Sequence, residues 1–394
     1  MENLPIVHVV NGRQKKLLQG HPWVYGNEIE RVEGEIEDGG LVTVVDFRGR
    51  YMGTGFYNSK SLITVRLLTH RQEEITDELI ASRVKAACDY RRFVMNRPGT
   101  DSCRLIYGEA DRLPGVIADR FGGVIVLQVL ALGMERFTQT IADALLACEK
   151  PDCLLLQNDD AIRRKEGMEC FTRVLYGTLP EENIIHENGV KLAVDVLGGQ
   201  KTGYFLDQKD NHLFVRQFCK DARVLDCFSY IGAFALNAAA AGAKEVTAVD
   251  ISETAVQLIE KNAALNGADI TAVCANCFDF LRAQVKAGEK YDVVVLDPPA
   301  FTKAHANMAS ACRGYKEIAL SAMRLLPAGG VLATHSCSYH MPEEVFVNTV
   351  LSAAQDLHRQ VRVITLRRQD IDHPVLAGYP ESHYLKSLWL QMLD

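Results

Sequence analysis

No stretch of this sequence is apolar over a length that could cross a bilayer, and the opening M-E-N-L-P-I-V lacks a basic segment followed by an apolar core. No membrane association and a cytoplasmic location are therefore expected. A disulfide framework is missing as well. The 11 cysteines are scattered, which suits a reducing compartment where each is a free thiol and most are small buried hydrophobes. Paired metal-ligand spacing is absent: Cys274-x-x-Cys277 has no second half, and His335, Cys337 and His340 form no ligand pair, so no metal is expected. The chain has no excess of positive charge. A formal net charge of −7 argues against non-specific coating of nucleic acid, although a local basic groove remains compatible with it. Repeats and low-complexity segments are lacking. What is plentiful is apolar side chain, 48% of 394 residues, which supplies a sizeable core over two or three domains and excludes global disorder.

From residue 6 to about 68 the chain gives short β-rich runs, at 41–46, 51–56 and 62–68, separated by glycine-bearing turns. That spacing predicts a small antiparallel barrel over 1–70. Trp23 lies in it with Arg13, Lys15 and Lys16 nearby in sequence, so it reads equally as core packing or as a stacking face for RNA. Residues 77–96 read as a linking helix with Leu79, Ile80, Val84, Ala87 and Cys88 on one stripe and Arg83 and Lys85 off it. Runs at 116–120 and 124–130 flank Phe121-Gly122-Gly123, a hairpin signal, and 135–148 reads as helix. Arg163-Arg164-Lys165 is the densest basic cluster, read first as a solvated loop and second as a phosphate contact. A central β-rich α+β domain over 71–190 follows from these elements.

From 191 to 394 strand and helix alternate, which predicts an α/β, doubly wound, mainly parallel Rossmann-like sheet. A glycine-rich loop at 198–203 precedes Tyr204-Phe205-Leu206-Asp207-Gln208, where Asp207 is a candidate cap for a helix through 211–218. Further strands are expected at 270–274, 291–296, 330–334, 361–366 and 387–392, and helices from near 253, 279, 312 and 342.

The organising stretch is R-V-L-D-C-F-S-Y-I-G-A-F at 223–234, a buried strand closed by Asp226, a tight loop, and an alanine-rich helix. A dinucleotide fold needs glycines throughout that loop so that backbone can approach a pyrophosphate. Only Gly232 is glycine here, and Phe228 and Tyr230, on either side of Ser229, would obstruct one. S-adenosylmethionine, with an adenosine, a sulfonium and an amino-acid tail, meets that restriction. The next strand ends at Asp250, followed by Ile251, at the separation where an acid binds ribose hydroxyls. Asp279 is a candidate acceptor for the adenine amino group and equally a helix N-cap.

Ligands of open α/β sheets sit beyond the carboxyl ends of the strands. The fourth strand ends in L-D-P-P-A-F, where two prolines stiffen the turn that carries Asp297 and the Pro298 carbonyl. The fifth ends in T-H-S-C-S-Y-H, which puts Cys337 at the same edge as a candidate nucleophile.

F-S-Y-I-G-A-F, L-D-P-P-A-F, A-C-R-G-Y-K and H-S-C-S, with K-T-G-Y-F-L-D-Q upstream, resemble the bacterial large-subunit ribosomal RNA methyltransferase I family, which makes 5-methylcytosine. The likeness runs through nearly the whole chain, including D-R-L-P-G at 111–115, R-R-K-E-G-M-E at 163–169 and D-H-P-V at 372–375. It implies a PUA-type RNA-binding barrel, a central β-rich domain and a class I methyltransferase domain. Large-subunit ribosomal RNA is then the partner, S-adenosylmethionine the cofactor, and a homodimer is left open. Asp207 and Gln208 join the donor-site candidates; Pro298, Pro299, Phe301 and Trp23 are the candidates for substrate contact. Two departures stand out. Other RNA cytosine methyltransferases place a second cysteine where this chain has Pro299, and close relatives commonly have lysine where it has Ala300.

Carbon 5 of cytosine is a poor nucleophile, so its methylation requires addition of a thiolate at carbon 6. Cys337 takes that role and Asp297 holds the N3 and amino edge of a base turned out of its stack. Two rivals are an amino-group methyltransferase, which uses Asp297 and the Pro298 carbonyl and no cysteine, and a non-catalytic RNA-binding assembly protein.

Overall fold

The computed structural model describes residues 4–302 and 307–394; the first three residues of the expected barrel and residues 303–306 lie outside the described part. Residues 6–69 form a six-stranded sheet in the order Trp23–Val24, Val65–Thr69, Tyr51–Tyr57, Leu41–Val45, Ile6–Val9, Ile29–Glu33. It is mixed rather than antiparallel, because Ile6–Val9 runs parallel to Leu41–Val45. Val7, Val9, Val42, Val44, Val65 and Leu67 fill its core. The run read as strand from 62 begins only at Val65, since Ser61 to Thr64 turn back on Asn58. Gly55 sits at a bulge where a Cβ would lie 2.2 Å from the Arg66 carbonyl, so only glycine lets these two strands approach.

Helix Asp77–Val94 is capped by Thr76, whose side chain accepts from the Leu79 N–H at 3.3 Å. Its buried stripe holds Ile80, Val84, Ala87 and Cys88 as expected, but also Arg83 and Arg91. Arg83 was expected off the stripe. It is buried because its guanidinium satisfies two carbonyls, those of Leu68 and Arg112, each at 2.8 Å. The same logic corrects the basic cluster: Arg163 is fully buried, bound to the carbonyls of Val129 and Glu169 and to Glu135, while Arg164 and Lys165 are exposed. A five-stranded central sheet, from Ser102–Tyr107 to Phe171–Gly177, includes the expected hairpin through Gly122-Gly123. A second hairpin, Ile184–Glu187 with Val190–Ala193, straddles the expected boundary at 190 and packs its apolar residues against both neighbours.

The third region is a seven-stranded sheet whose strands are numbered here in chain order: β1 Arg223–Cys227, β2 Glu245–Asp250, β3 Thr271–Cys274, β4 Val293–Leu296, β5 Val331–Ser336, β6 Val361–Arg367 and β7 Lys386–Met392. Their spatial order is 3-2-1-4-5-7-6. Six strands run in one direction, and β7 runs antiparallel to them between β5 and β6. Helices α1 Ala233–Ala240, α2 Glu253–Asn266, α3 Cys277–Ala287, α4 Met308–Leu325 and α5 Glu343–Asp356 make the crossovers. Chain order reverses between β1 and β4, so the crevice of a doubly wound sheet opens at their carboxyl ends. Helix α4 starts four residues before the expected Cys312, and α3 starts at Cys277.

The regions are joined by buried charge. Asp372, fully buried, accepts from Lys209 Nζ at 2.5 Å, His373 Nδ1 at 2.7 Å and the Arg104 N–H at 2.9 Å, while Arg97 grips neighbouring Asp370 with both guanidinium nitrogens. Burial alone would raise the Asp372 carboxyl, but Lys209 and His373 hold it well below the ordinary range. Asp372→Ala should therefore cost about 3–5 kcal/mol in urea unfolding near pH 7, the scale for leaving a buried charge partly unpaired. Because the folded carboxyl is the stronger acid, this contribution is present above about pH 4 and is lost as pH falls. The gap between wild type and variant should shrink accordingly toward about pH 3.

Candidate active site

A cavity of about 320 Å³ opens where β1, β2, β4 and β5 end. Its floor is the loop after β1, which bends through left-handed backbone at two aromatic residues, Phe228 (φ 62°) and Tyr230 (φ 51°), before Gly232 (φ 87°) starts α1. Such conformations cost about 1–3 kcal/mol in a non-glycine residue and persist only where surroundings enforce them. Here the enforcing bonds are explicit: the Phe228 N–H donates to Cys277 Sγ at 3.2 Å and the Tyr230 N–H to Asp250 Oδ2 at 2.9 Å. Tyr230 also donates its hydroxyl to the Gly203 carbonyl at 2.9 Å, drawing the 198–203 loop to the rim.

Phe228, Ser229 and Tyr230 line the cavity, but Asp226 and Gly232 do not. Asp226 is fully buried beneath the loop, where it accepts from Ser229 Oγ at 2.5 Å and the Ala235 N–H at 3.1 Å. Burial pushes its carboxyl up to about 7. It holds the loop and the first turn of α1 from beneath the cavity. Gly232 provides the left-handed entry to that helix.

Asp250 lines the cavity beside Ile251, whose side chain is exposed at the rim. Each Asp250 oxygen already accepts one backbone N–H, from Tyr230 and from Ser252 at 3.0 Å, which fixes the carboxylate while leaving lone pairs for a diol. Asp279 fills neither of its expected roles: it lies exposed on α3, paired with Arg282 outside the cavity. Asn276 is the cap, accepting from the N–H groups of Phe278 and Asp279, and it lines the cavity with Cys277 and Phe278. The cap thus falls three residues earlier than the acid suggested.

Asp207 does not cap a helix. It lies in a 3-10 turn, Leu206–Gln208, with its carboxylate on Lys201 Nζ at 3.0 Å and the Tyr384 hydroxyl. Burial opposes its ionisation, yet Lys201, His373 and Tyr384 hold it below the ordinary carboxylate range. Gln208 donates to Asp297 Oδ1 at 3.0 Å and is itself oriented by Asn211, which donates to its Oε1 at 2.7 Å. Desolvation, with the charge of Asp207, pushes Asp297 up to about 7, so this carboxyl changes protonation near neutrality.

Cys337 follows β5 directly and faces the same cavity as Asp297, Pro298, Pro299 and Phe301. Burial pushes its thiol up to about 11, with Lys201 pulling the other way. Phe301 packs against Tyr315 at 4.7 Å, and Tyr315 donates its hydroxyl to Ser336 Oγ at 2.9 Å, tying the two strand-end loops together. His335 turns away into the core, stacked on Phe234 at 5.1 Å, and burial pushes it down to about 3. Among the described residues, no three His, Cys, Asp or Glu side chains converge as metal ligands. Trp23 does not line the cavity. Its Nε1 donates to Glu109 at 2.7 Å and its ring meets Tyr379 at 4.8 Å, so it forms a joint between regions instead of a free stacking face.

Reading the sequence missed Phe205, His212, Asn276 and Phe278, all of which line the cavity. Asn276, three residues before Asp279, carried a usable capping signal; His212, held by Glu187 at 2.6 Å from another region, carried none. The donor set fits S-adenosylmethionine: Asp250 for ribose hydroxyls, Ile251 and Phe278 as apolar walls for a flat base, and the carboxylates of Asp207 and Asp297 for positive charge.

Comparison with known proteins agrees with this geometry. Residues 7–70 match the model of a PUA-like domain, and residues 125–369 that of an S-adenosylmethionine-dependent methyltransferase. The chain is 42% identical over 388 residues to the ribosomal RNA large subunit methyltransferase I of Klebsiella pneumoniae strain 342, covering 97% of each. It is 41% identical over 390 residues to that of Salmonella arizonae, covering 98% of this chain and 96% of the relative. In fold it is similar to a Streptococcus mutans protein assigned as a SAM-dependent methyltransferase, with a TM-score of 0.84 at 20% identity over 98% of this chain and 99% of that one. A structure of a methyltransferase complexed with SAH gives the same values. With the donor cavity, the domain order and this extent of identity in agreement, the chain belongs to the ribosomal RNA large subunit methyltransferase I family of S-adenosylmethionine-dependent methyltransferases.

Proposed function

We propose that this enzyme acts in the cytoplasm on large-subunit ribosomal RNA and methylates carbon 5 of a cytosine through a covalent bond to Cys337. The observation that carries the reading is that Cys337 and Asp297, at the ends of paired strands β5 and β4, open into the cavity that also holds Asp250. Bound S-adenosylmethionine supplies a methyl group on a sulfonium, an electrophile. The Cys337 thiol loses its proton, the thiolate adds to carbon 6, and the ring electrons move to N3, which takes the proton of the Asp297 carboxyl. The electron-rich carbon 5 then accepts the methyl group as the sulfonium carbon–sulfur bond breaks. Loss of the carbon-5 proton to the Asp297 carboxylate restores the carbon 5–carbon 6 double bond and expels the thiolate, which takes back the N3 proton, so that the one proton released overall is the one the thiol first gave to solvent. Gln208 keeps Asp297 facing the cavity throughout.

Replacing the carbon-5 hydrogen of the target with fluorine leaves no proton to remove. Wild-type enzyme with S-adenosylmethionine should therefore stay attached to fluorinated RNA in denaturing electrophoresis, and Cys337→Ala should give neither adduct nor turnover. Near-wild-type methylation by Cys337→Ala would move the chemistry to the exocyclic amine, with Asp297 and the Pro298 carbonyl as its holders.

Asp250→Ala should weaken S-adenosylmethionine binding in calorimetry by about 1.5–3 kcal/mol, the scale of hydrogen bonds to a charged group. Asp250→Asn should lose less. Unchanged affinity in both would remove Asp250 from the donor site.

The pH profile tests the acid. With Asp297 held up to about 7 and Cys337 to about 11, the reactive arrangement, a protonated Asp297 beside a thiolate, has one proton fewer than the fully protonated site. Turnover should rise about tenfold per pH unit below about pH 7 and stop rising there, the sulfonium charge shifting the bend downward. In Asp297→Asn the bend should move to higher pH.

A further inference from the structure

Behind Cys337 stands a buried ammonium that, among the described residues, has no carboxylate in direct ion pair with it. Lys386 begins β7, pairs with Ser336 at the end of β5, and is only 3% exposed. Its Nζ donates to the Ser338 carbonyl at 2.5 Å and the Tyr384 carbonyl at 2.7 Å. Ser338 directly follows Cys337 and is anchored on its other side, its hydroxyl donating to the Thr302 carbonyl at 2.8 Å. Lys209, also buried, has Asp372 at 2.5 Å and Asp370 at 3.5 Å. Among the described residues Lys386 has no such ion pair. Glu343, at the start of α5, faces His383 at 3.9 Å, and Lys201, Asp207 and Asp297 approach Cys337 from the cavity side.

A buried cation without a counter-charge is costly, and its retention marks a place where negative charge will appear. We propose that Lys386 is the positioning residue of the nucleophile: it fixes the turn after Cys337 through the Ser338 carbonyl, and its ammonium is the counter-charge for the Cys337 thiolate. While Cys337 is a neutral thiol the only opposing charge that bears on the ammonium, among the described residues, is that of Glu343, which makes no direct ion pair with it. Loss of the S–H proton to solvent supplies the missing negative charge, and addition to carbon 6 passes that charge into the base. Burial pushes Lys386 down to about 8, against the opposing charges of Cys337 and Glu343, which is the behaviour of a cation awaiting its partner. The inference rests on Cys337 as nucleophile.

The test reads the thiol itself. Full-length protein is alkylated with iodoacetamide across a pH series, and modification of the Cys337 peptide is followed by mass spectrometry. Lys386→Met and Lys386→Gln should slow alkylation at pH 8 by about tenfold or more, one unit of thiol pKa, whereas Lys386→Arg should stay within about threefold of wild type. Folded neutral variants with a wild-type alkylation profile would overturn the proposal. If neither neutral variant folds, the Asp297→Asn protein decides, since it removes the other nearby group that titrates around neutrality. Its Cys337 alkylation profile should carry an inflection near pH 8 from loss of the Lys386 proton, and a profile lacking that inflection overturns the proposal. The nucleophile reading fails separately. Turnover by Cys337→Ala would reject it without changing the alkylation shift, and an adduct formed without any shift would reject the Lys386 role alone.

Discussion

The loop after β1 depends on where its backbone N–H groups can go. Phe228 and Tyr230 would relax out of the left-handed region if their N–H groups had other partners, but Cys277 Sγ and Asp250 Oδ2 are the acceptors within reach. Those two acceptors sit at the ends of neighbouring elements, α3 and β2, so one bend of chain binds three walls of the cavity together. Asp226 completes the arrangement from below through Ser229 and Ala235. Its remaining oxygen, Oδ1, has no hydrogen-bond partner, which agrees with a carboxyl that burial has raised toward neutrality. The aromatic side chains that a dinucleotide site would forbid are therefore part of the floor.

Above that floor the charges are uneven. Asp207 is neutralised by Lys201, whereas among the described residues Asp297 has the Gln208 amide alone, and its proximity to Asp207 raises it further. A cavity in which one carboxylate is matched and another is held at its midpoint favours a positively charged ligand on one side and proton exchange on the other. Both properties follow from which side chains lack partners, and neither needs a movement of the backbone.

The strand-end residues Asp250, Asp297 and Cys337 were legible in the sequence, because period, length and an acid or thiol just past an apolar run locate them within a residue or two. The errors share a cause. Arg83 and Arg163 look like surface residues until carbonyls distant in sequence are brought to them. Asp279 misled because it sits where a cap acid would, yet the helix already begins at Cys277 and Asn276 caps it through the N–H groups of Phe278 and Asp279. The parallel pairing of Ile6–Val9 with Leu41–Val45 depends on a register set across more than thirty residues, which no local pattern encodes.

The PUA-like region is not merely tethered to the catalytic sheet. Arg66 bridges Glu109 and Glu166 at 3.0 and 3.1 Å, Trp23 shares Glu109, and His21 reaches Glu381 at 3.2 Å. Burial, and with it the negative charge of Glu381, raises the phenol of Tyr339, two residues after Cys337. These contacts are partly or fully buried, so breaking any one strands a polar group away from water. Side chains of the first sheet thus reach residues 109, 166 and 381 of the other two regions. Lys386 grips the turn after Cys337 from β7, so the placement of that turn, like that of the PUA-like sheet, is set by folding rather than by binding.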